Sequence, residues 1–148
     1  MDLEANIPDT TTAQFELPPE QTNAAAWYGP AMERRSDWIV EFNDRDIAEI
    51  EAAMAPLVAR KADIARITKA DFPLPHLAAK LAALLGELLN GRGFAVLRGL
   101  PIERYDMRQA ATAFFGVGAH LGNARSQNAK GHVLGHVKDL GLDVKDPN

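Results

Sequence analysis

Cysteine is absent from all 148 residues. Its absence excludes disulfide scaffolds, thiolate nucleophiles and any zinc or iron–sulfur site ligated by cysteine, and it gives no sign of an oxidising compartment. Long apolar runs are missing too. No stretch of 18 or more apolar residues occurs, so nothing reads as a membrane-spanning helix. Near the N-terminus, where a secretory leader would carry Lys or Arg, stands Met1-Asp2-Leu3-Glu4, with no apolar run behind it. A soluble, cytoplasmic protein with no membrane partner is the expectation. A basic excess is also lacking: 20 acids oppose 16 bases, for a net charge of −4. The charge is uneven, with 14 acids and 7 bases in residues 1–74 but 6 acids and 9 bases in residues 75–148. A mildly basic second half suits a small anionic ligand, and the surplus is too thin and scattered for nucleic acid. What is present, 47% hydrophobic and 24% charged residues, fits one ordinary globular domain.

Residues 1–26 are rich in Asp, Thr, Pro, Gln and Asn and read as a flexible lead-in, with Trp27 and Tyr28 pinning it to the body. Trp38-Ile39-Val40 reads as a short strand. Asn43 is placed to cap a helix whose stripe is Ile47, Ile50, Met54, Leu57 and Val58, with a kink or break expected near Ala55 because Pro56 removes a hydrogen bond. Ile64 and Ile67 fall in a partly helical connection, and Asp71-Phe72-Pro73-Leu74-Pro75 reads as a rigid extended linker. Leu77, Leu81, Leu84, Leu85, Leu88 and Leu89 recur at helical spacing, with Pro75 tolerated in the first turn and a stop at Asn90-Gly91.

Phe94-Ala95-Val96-Leu97 is apolar without alternation, which predicts a strand covered on both faces. Asp106 and Gln109 form a capping-box pattern opening a helix that turns Ala110, Phe114 and Phe115 inward. A polar loop over 122–131 follows, then a strand over 132–137. Helices first and then strand, helix, loop and strand is α+β in character, and unfinished.

Gly116, Gly118 and Gly122 are spaced one residue too widely for a dinucleotide turn and follow a helix, so they read as a helix end unwinding. His132 and His136 would share a face on a helix, but the flanking glycines and valines favour a strand. There, four residues span roughly 13 Å, too far for one metal ion. The histidines therefore read as structural or hydrogen-bonding, with no metal ligand and no catalytic residue assigned. The densest hydrogen-bonding group is Ser126, Gln127 and Asn128 with Arg125 beside them, which reads as a substrate-facing loop with Arg125 available for an anion. Arg98 reads as structural, and Asp106 as a helix cap.

From about Trp38 onward the sequence resembles the taurine dioxygenase (TauD/TfdA-like) family of iron(II) and 2-oxoglutarate enzymes. The matching phrases are Ile67-Thr68-Lys69-Ala70-Asp71-Phe72-Pro73-Leu74-Pro75, Gly91-Arg92-Gly93-Phe94-Ala95-Val96-Leu97-Arg98-Gly99-Leu100-Pro101 and Ser126-Gln127-Asn128-Ala129-Lys130-Gly131-His132. The resemblance implies a double-stranded β-helix (jelly-roll) of which residues 27–148 hold the N-terminal helical part and first strands. It also implies Fe(II) on two histidines and a carboxylate, with 2-oxoglutarate decarboxylated to succinate as a small organic substrate is oxidised. The family's first two ligands form His-x-Asp or His-x-Glu. Here His76, His120, His132 and His136 are followed by Leu-Ala, Leu-Gly, Val-Leu and Val-Lys, so no ligand carries over. In the family the pair lies shortly after the point where this sequence ends. Of the family's site, only the loop at Ser126, Gln127 and Asn128 matches, in a region bordering the substrate pocket. The expectation is thus the N-terminal fragment of a dioxygenase that by itself binds neither Fe(II) nor 2-oxoglutarate and tends to self-associate. The alternative is a non-catalytic binding or scaffolding remnant of such an enzyme.

Overall fold

The computed structural model describes residues 17–135. Four α-helices and two short strands alternate as α1 (Gly29–Glu33), β1 (Ile39–Glu41), α2 (Asp44–Ala59), α3 (Leu77–Asn90), β2 (Val96–Arg98) and α4 (Met107–Gly118). Single 3₁₀ turns sit at Ile64–Arg66 and Ile102–Arg104. The strands pair in parallel, Ile39 with Val96, Val40 with Leu97 and Glu41 with Arg98, and α2 and α3 make the crossover between them. The described residues are thus rich in helix, and the sheet they contain has two strands.

α2 begins where the sequence predicts. The Asn43 side chain accepts from the Asp46 N–H, and the Asp46 carboxylate accepts from the Asn43 N–H, closing a capping box. The break expected near Ala55 does not occur, because α2 runs through Pro56 to Ala59. Pro56 and Ala52 are both on the exposed side, so the carbonyl that loses its partner faces water, and only the last turn lies beyond it. The helix closes with Lys61 at φ 51°, while Ala62 N–H donates to Leu57 and Lys61 N–H donates to Val58, a Schellman ending. α3 starts at Leu77, two residues after Pro75, and has no cap from its own N-cap residue His76. Instead Glu49, on α2, accepts from the His76 and Leu77 N–H groups at 3.1 and 3.0 Å. A carboxylate from a neighbouring helix thus satisfies donors that α3 leaves open.

Ile50, Met54 and Leu57 of α2, Leu77, Leu81 and Leu84 of α3, and Ala113, Phe115 and Val117 of α4 form one core. The segment expected to be a linker belongs to that core, since Phe72 is wholly buried and Leu74 nearly so. Its prolines hold the chain extended while alternate side chains, Phe72 and Leu74, point inward. Three inward assignments fail. Leu89 is 73% exposed on the outer side of the last turn of α3, while Leu88 beside it packs against the core. Phe114 is 68% exposed, because α4 turns the adjacent Phe115 into the core. Val96 and Arg98 are exposed, so β2 is not covered on both faces. A consecutive apolar run reports hydrophobicity on both faces of a strand, and the described residues supply a covering layer for one. Residues 132–135 form no strand. Their polar neighbours fold into a turn held by side chains, and 136 and 137 lie outside the described residues. The Trp27 ring lies 4.9 Å from that of Phe94, whereas Tyr28 is exposed, and residues 1–16 of the expected lead-in lie outside the described residues.

Ion pairs fasten the layers. Lys80 of α3 binds Asp46 and reaches the Glu41 carbonyl at 3.3 Å, linking α3 to the end of β1 and the start of α2. Arg92 bridges Glu87 at 2.9 Å and Asp37 at 3.0 Å, tying the turn before β2 to the segment before β1. After β2 the chain leaves through Gly99, at φ 93°. A Cβ there would stand 2.9 Å from the Phe42 carbonyl oxygen, so both the backbone conformation and the close approach require glycine.

Burial pushes the Asp46 carboxyl up, but hydrogen bonds from Lys80 and from the Asn43 N–H outweigh it and hold the group below the usual carboxylate range. A folded-state value below the unfolded one gives stability that is present above about pH 4 and lost as pH falls through the folded value. Asp46→Asn is therefore expected to lower stability at neutral pH and flatten its fall below about pH 4, read by chemical denaturation at several pH values. Each strand of the sheet has one edge unpaired among the described residues, and Val96 lies exposed on β2. Such edges invite pairing between chains. The chain should self-associate in light scattering, and Val96→Lys should reduce it.

Candidate functional site

An open groove of about 900 Å³ lies between the turn at residues 65–70, the C-terminal end of α4 and the loop at residues 121–127. Its two walls are fixed to each other by Phe72 and His120. Phe72 packs its ring against the backbone of α4 at Gly116, where an added Cβ would fall 2.3 Å from the ring. His120, just past α4 and 8% exposed, places Nε2 at 2.8 Å from the Phe72 carbonyl. A carbonyl only accepts, so Nε2 donates to it, and Nδ1 is buried with no hydrogen-bond partner among the described residues. Ala119 and Leu121, on either side of His120, line the groove.

The floor is apolar: Ile67 and Phe115 are buried, and Leu121 and Val133 are half-buried. Phe114 presents its exposed ring to the same space. Arg66, Lys69 and Arg125 supply the charge, and among the described residues no Asp or Glu lines the groove. The nearest acids in sequence already have partners. Asp63 pairs with Arg66 at 3.5 Å. Asp71 accepts from the Thr68 hydroxyl at 2.6 Å and from its N–H, which hold its carboxyl below the usual range, and lies 3.7 Å from Arg60.

Of the residues that the sequence singles out, Arg125 and Gln127 line the groove, whereas Ser126 and Asn128 do not. Ser126 donates its hydroxyl to the Asn128 carbonyl, and the Gln127 amide donates to the Arg125 carbonyl. Asn128 Oδ1 accepts from the Lys130 and His132 N–H groups, and Nδ2 donates to His132 Nδ1 at 3.1 Å. Asn128 thus organises the turn that presents Arg125 and Gln127. His132 takes the hydrogen-bonding role expected of it, and His136 lies outside the described residues. The sequence reading missed Arg66, Lys69 and Phe114. The two cations were legible as charges in an otherwise apolar connection, but nothing local says that the connection folds back beside α4.

The described histidines do not converge on one point. His120 is committed to Phe72. His76 is exposed, 3.9 Å from Glu49. Among the described residues no three His, Cys, Asp or Glu side chains stand where they could share a metal ion. Nor is any helix among them long and apolar enough to cross a membrane.

Residues 55–148 match the profile of the taurine catabolism dioxygenase TauD, TfdA family. The chain is 31% identical over 122 residues to a taurine hydroxylase-like protein of Stachybotrys chartarum, covering 82% of this chain and 32% of that one. It is 27% identical over 120 residues to the FR-33289 synthase of Streptomyces rubellomurinus, covering 81% and 35%. The chain therefore spans about a third of the length of these relatives. With the family profile matching well over half of its residues, the chain belongs to the taurine catabolism dioxygenase TauD, TfdA family.

Proposed function

We propose that this chain is the N-terminal part of an Fe(II)/2-oxoglutarate-dependent dioxygenase that oxidises a small organic substrate and decarboxylates 2-oxoglutarate to succinate. The observation that carries the reading is the family match over residues 55–148 together with a span of about a third of each relative. In this reading residues 17–135 are a helical buttress on which a double-stranded β-helix is completed by later sequence. The two-stranded sheet of β1 and β2 is its growing edge, and the metal ligands and the 2-oxoglutarate site belong to that later sequence.

The part of the substrate site that falls on this chain is the loop of Arg125, Ser126, Gln127 and Asn128. Arg125 and Gln127 face the groove, and Ser126 and Asn128 hold the loop in shape. A substrate bordering this loop would meet a cation and an amide on one side and the apolar floor on the other. That combination positions a polar molecule through few groups while apolar contact excludes water.

The test is oxygen-dependent succinate formation from 2-oxoglutarate with added Fe(II). It compares residues 1–148 with the same sequence extended to the length of the relatives. The extended protein is expected to form succinate, and residues 1–148 alone are expected to form none and to show no one-to-one micromolar Fe(II) binding in an anaerobic titration. In the extended protein Asn128→Ala should raise KM for the substrate or uncouple succinate from product. An extended protein that holds iron yet forms no succinate with any substrate would overturn the proposal.

A further inference from the structure

We infer that residues 1–16 of this chain seat in the groove between the 65–70 turn and the end of α4, as an acidic strap bound in cis. The segment lies outside the described residues, so its sequence, the groove and the lead-in that joins them carry the inference. It goes beyond the dioxygenase reading and does not rest on it, because both parties belong to this chain.

Charge is the first observation. Residues 1–16 hold Asp2, Glu4, Asp9 and Glu16 and no Lys or Arg. With 20 acids and 16 bases in the whole chain, the remaining residues hold 16 of each. The entire net charge of −4 therefore sits in this one segment. The groove is its counterpart. Arg66, Lys69 and Arg125 line it, and among the described residues no Asp or Glu does. Arg66 is partly neutralised by Asp63 at 3.5 Å. Lys69 and Arg125 are exposed and have no ion pair among the described residues. An acidic stretch without a base and a cluster of cations without an acid, on a body otherwise in charge balance, attract each other.

Apolar surface is the second observation. Phe114 stands 68% exposed in the groove wall while its neighbour Phe115 fills the core. Acids alone would use the cations and leave that ring wet. The segment has more to offer, since Leu3, Ile7 and Phe15 are interspersed with its acids and Phe15 is directly followed by Glu16. An aromatic ring against Phe114 with a carboxylate turned to Lys69 or Arg125 uses both parts of the groove.

Reach is the third. Residues 17–26 are all exposed, and Leu17 is 84% exposed, so the chain entering this stretch is not buried against the body. Sixteen residues extend to about 55 Å at most, and a body of about 120 residues has a radius of gyration of about 13.5 Å, which puts the groove within the segment's span. A short tether supplies a local concentration on the order of 1 mM. A contact with a dissociation constant of about 1 mM between separate molecules would then be about half occupied within one chain. Arg125 and Gln127 are also the groups that the proposed substrate would meet, so on the dioxygenase reading the strap is what a substrate displaces.

The test exploits the absence of cysteine, which lets Ala13→Cys take a nitroxide label at a single place. Paramagnetic broadening of backbone amides is measured on the full chain carrying Val96→Lys, with light scattering to confirm that it is monodisperse. Broadening is expected to concentrate in residues 65–70 and 118–127. It should vanish when labelled chain without nitrogen-15 is mixed with unlabelled nitrogen-15 chain, as a contact in cis requires. Neutralising the strap (Asp2→Asn, Glu4→Gln, Asp9→Asn and Glu16→Gln together) should remove most of it, and so should Lys69→Gln with Arg125→Gln. Salt at about 1 M, where the screening length falls to about 3 Å, should do the same. The strap substitutions touch no contact of the described residues, and circular dichroism would confirm that both variants fold. The inference is overturned by broadening centred on another face, by uniform broadening with no focus, by broadening unchanged in either charge variant, or by broadening that persists in the mixed sample, which would assign the contact to a second copy. Succinate formation by the extended protein is measured separately, so either proposal can fail alone.

Discussion

The close approach of the Phe72 ring to the backbone of α4 at Gly116 is the contact on which the groove and much of the core depend. Phe72 is wholly buried, and it comes from a proline-flanked segment with no regular structure of its own. Such a segment lacks the backbone ladder that would fix a helix or strand, so its position has to be set by side chains. The ring sets it from below, through a site where α4 has no side chain. His120 sets it from behind by donating Nε2–H to the Phe72 carbonyl. With both in place, the 65–70 turn cannot drift from the end of α4, and the cations on that turn stay opposite Arg125.

α2 plays the corresponding role for the rest of the molecule, and it does so through three acids at different positions along its length. Asp46 joins Lys80 of α3, Glu49 caps the N-terminus of α3, and Glu51 accepts from the Tyr105 hydroxyl at 2.9 Å and from Arg104 at 3.1 Å. Burial, and then the Glu51 hydrogen bond, push the Tyr105 hydroxyl up to about 12, so it remains a donor at any physiological pH. Apolar packing of Ile50, Met54 and Leu57 sets how close the helices lie, but it is non-directional. The polar contacts supply the rotation and the register that apolar packing leaves free.

The same logic connects the fold to the functional reading. In the proposed reading the helical layer and its two-stranded parallel sheet support further strands, and some of the large side chains they carry are left exposed. Val96 and Arg98 on β2 and Phe114 on α4 are such groups. Membership of the taurine catabolism dioxygenase family gives those surfaces a context, since the aligned part covers only about a third of the relatives.

Local chemistry was readable wherever the relevant partners are close in sequence. The Asn43 and Asp106 caps, the Leu77, Leu81 and Leu84 face and the end of α3 near Asn90 all follow from groups within one or two turns of each other. The family phrases were likewise legible, because they are runs of adjacent residues. Arrangements that join distant residues were not legible. That Pro56 could be carried inside α2 depended on which side of the helix faced water. That Phe114 and Leu89 lie outside the core depended on which face of each helix its neighbours cover. That Glu49 caps α3 required a partner 28 residues away. The groove is the clearest case. Arg125 was recognisable as an anion-ready cation, but its companionship with Arg66, Lys69 and Phe114 exists only because Phe72 docks on Gly116, and a contact spanning 44 positions leaves no periodic mark on the chain.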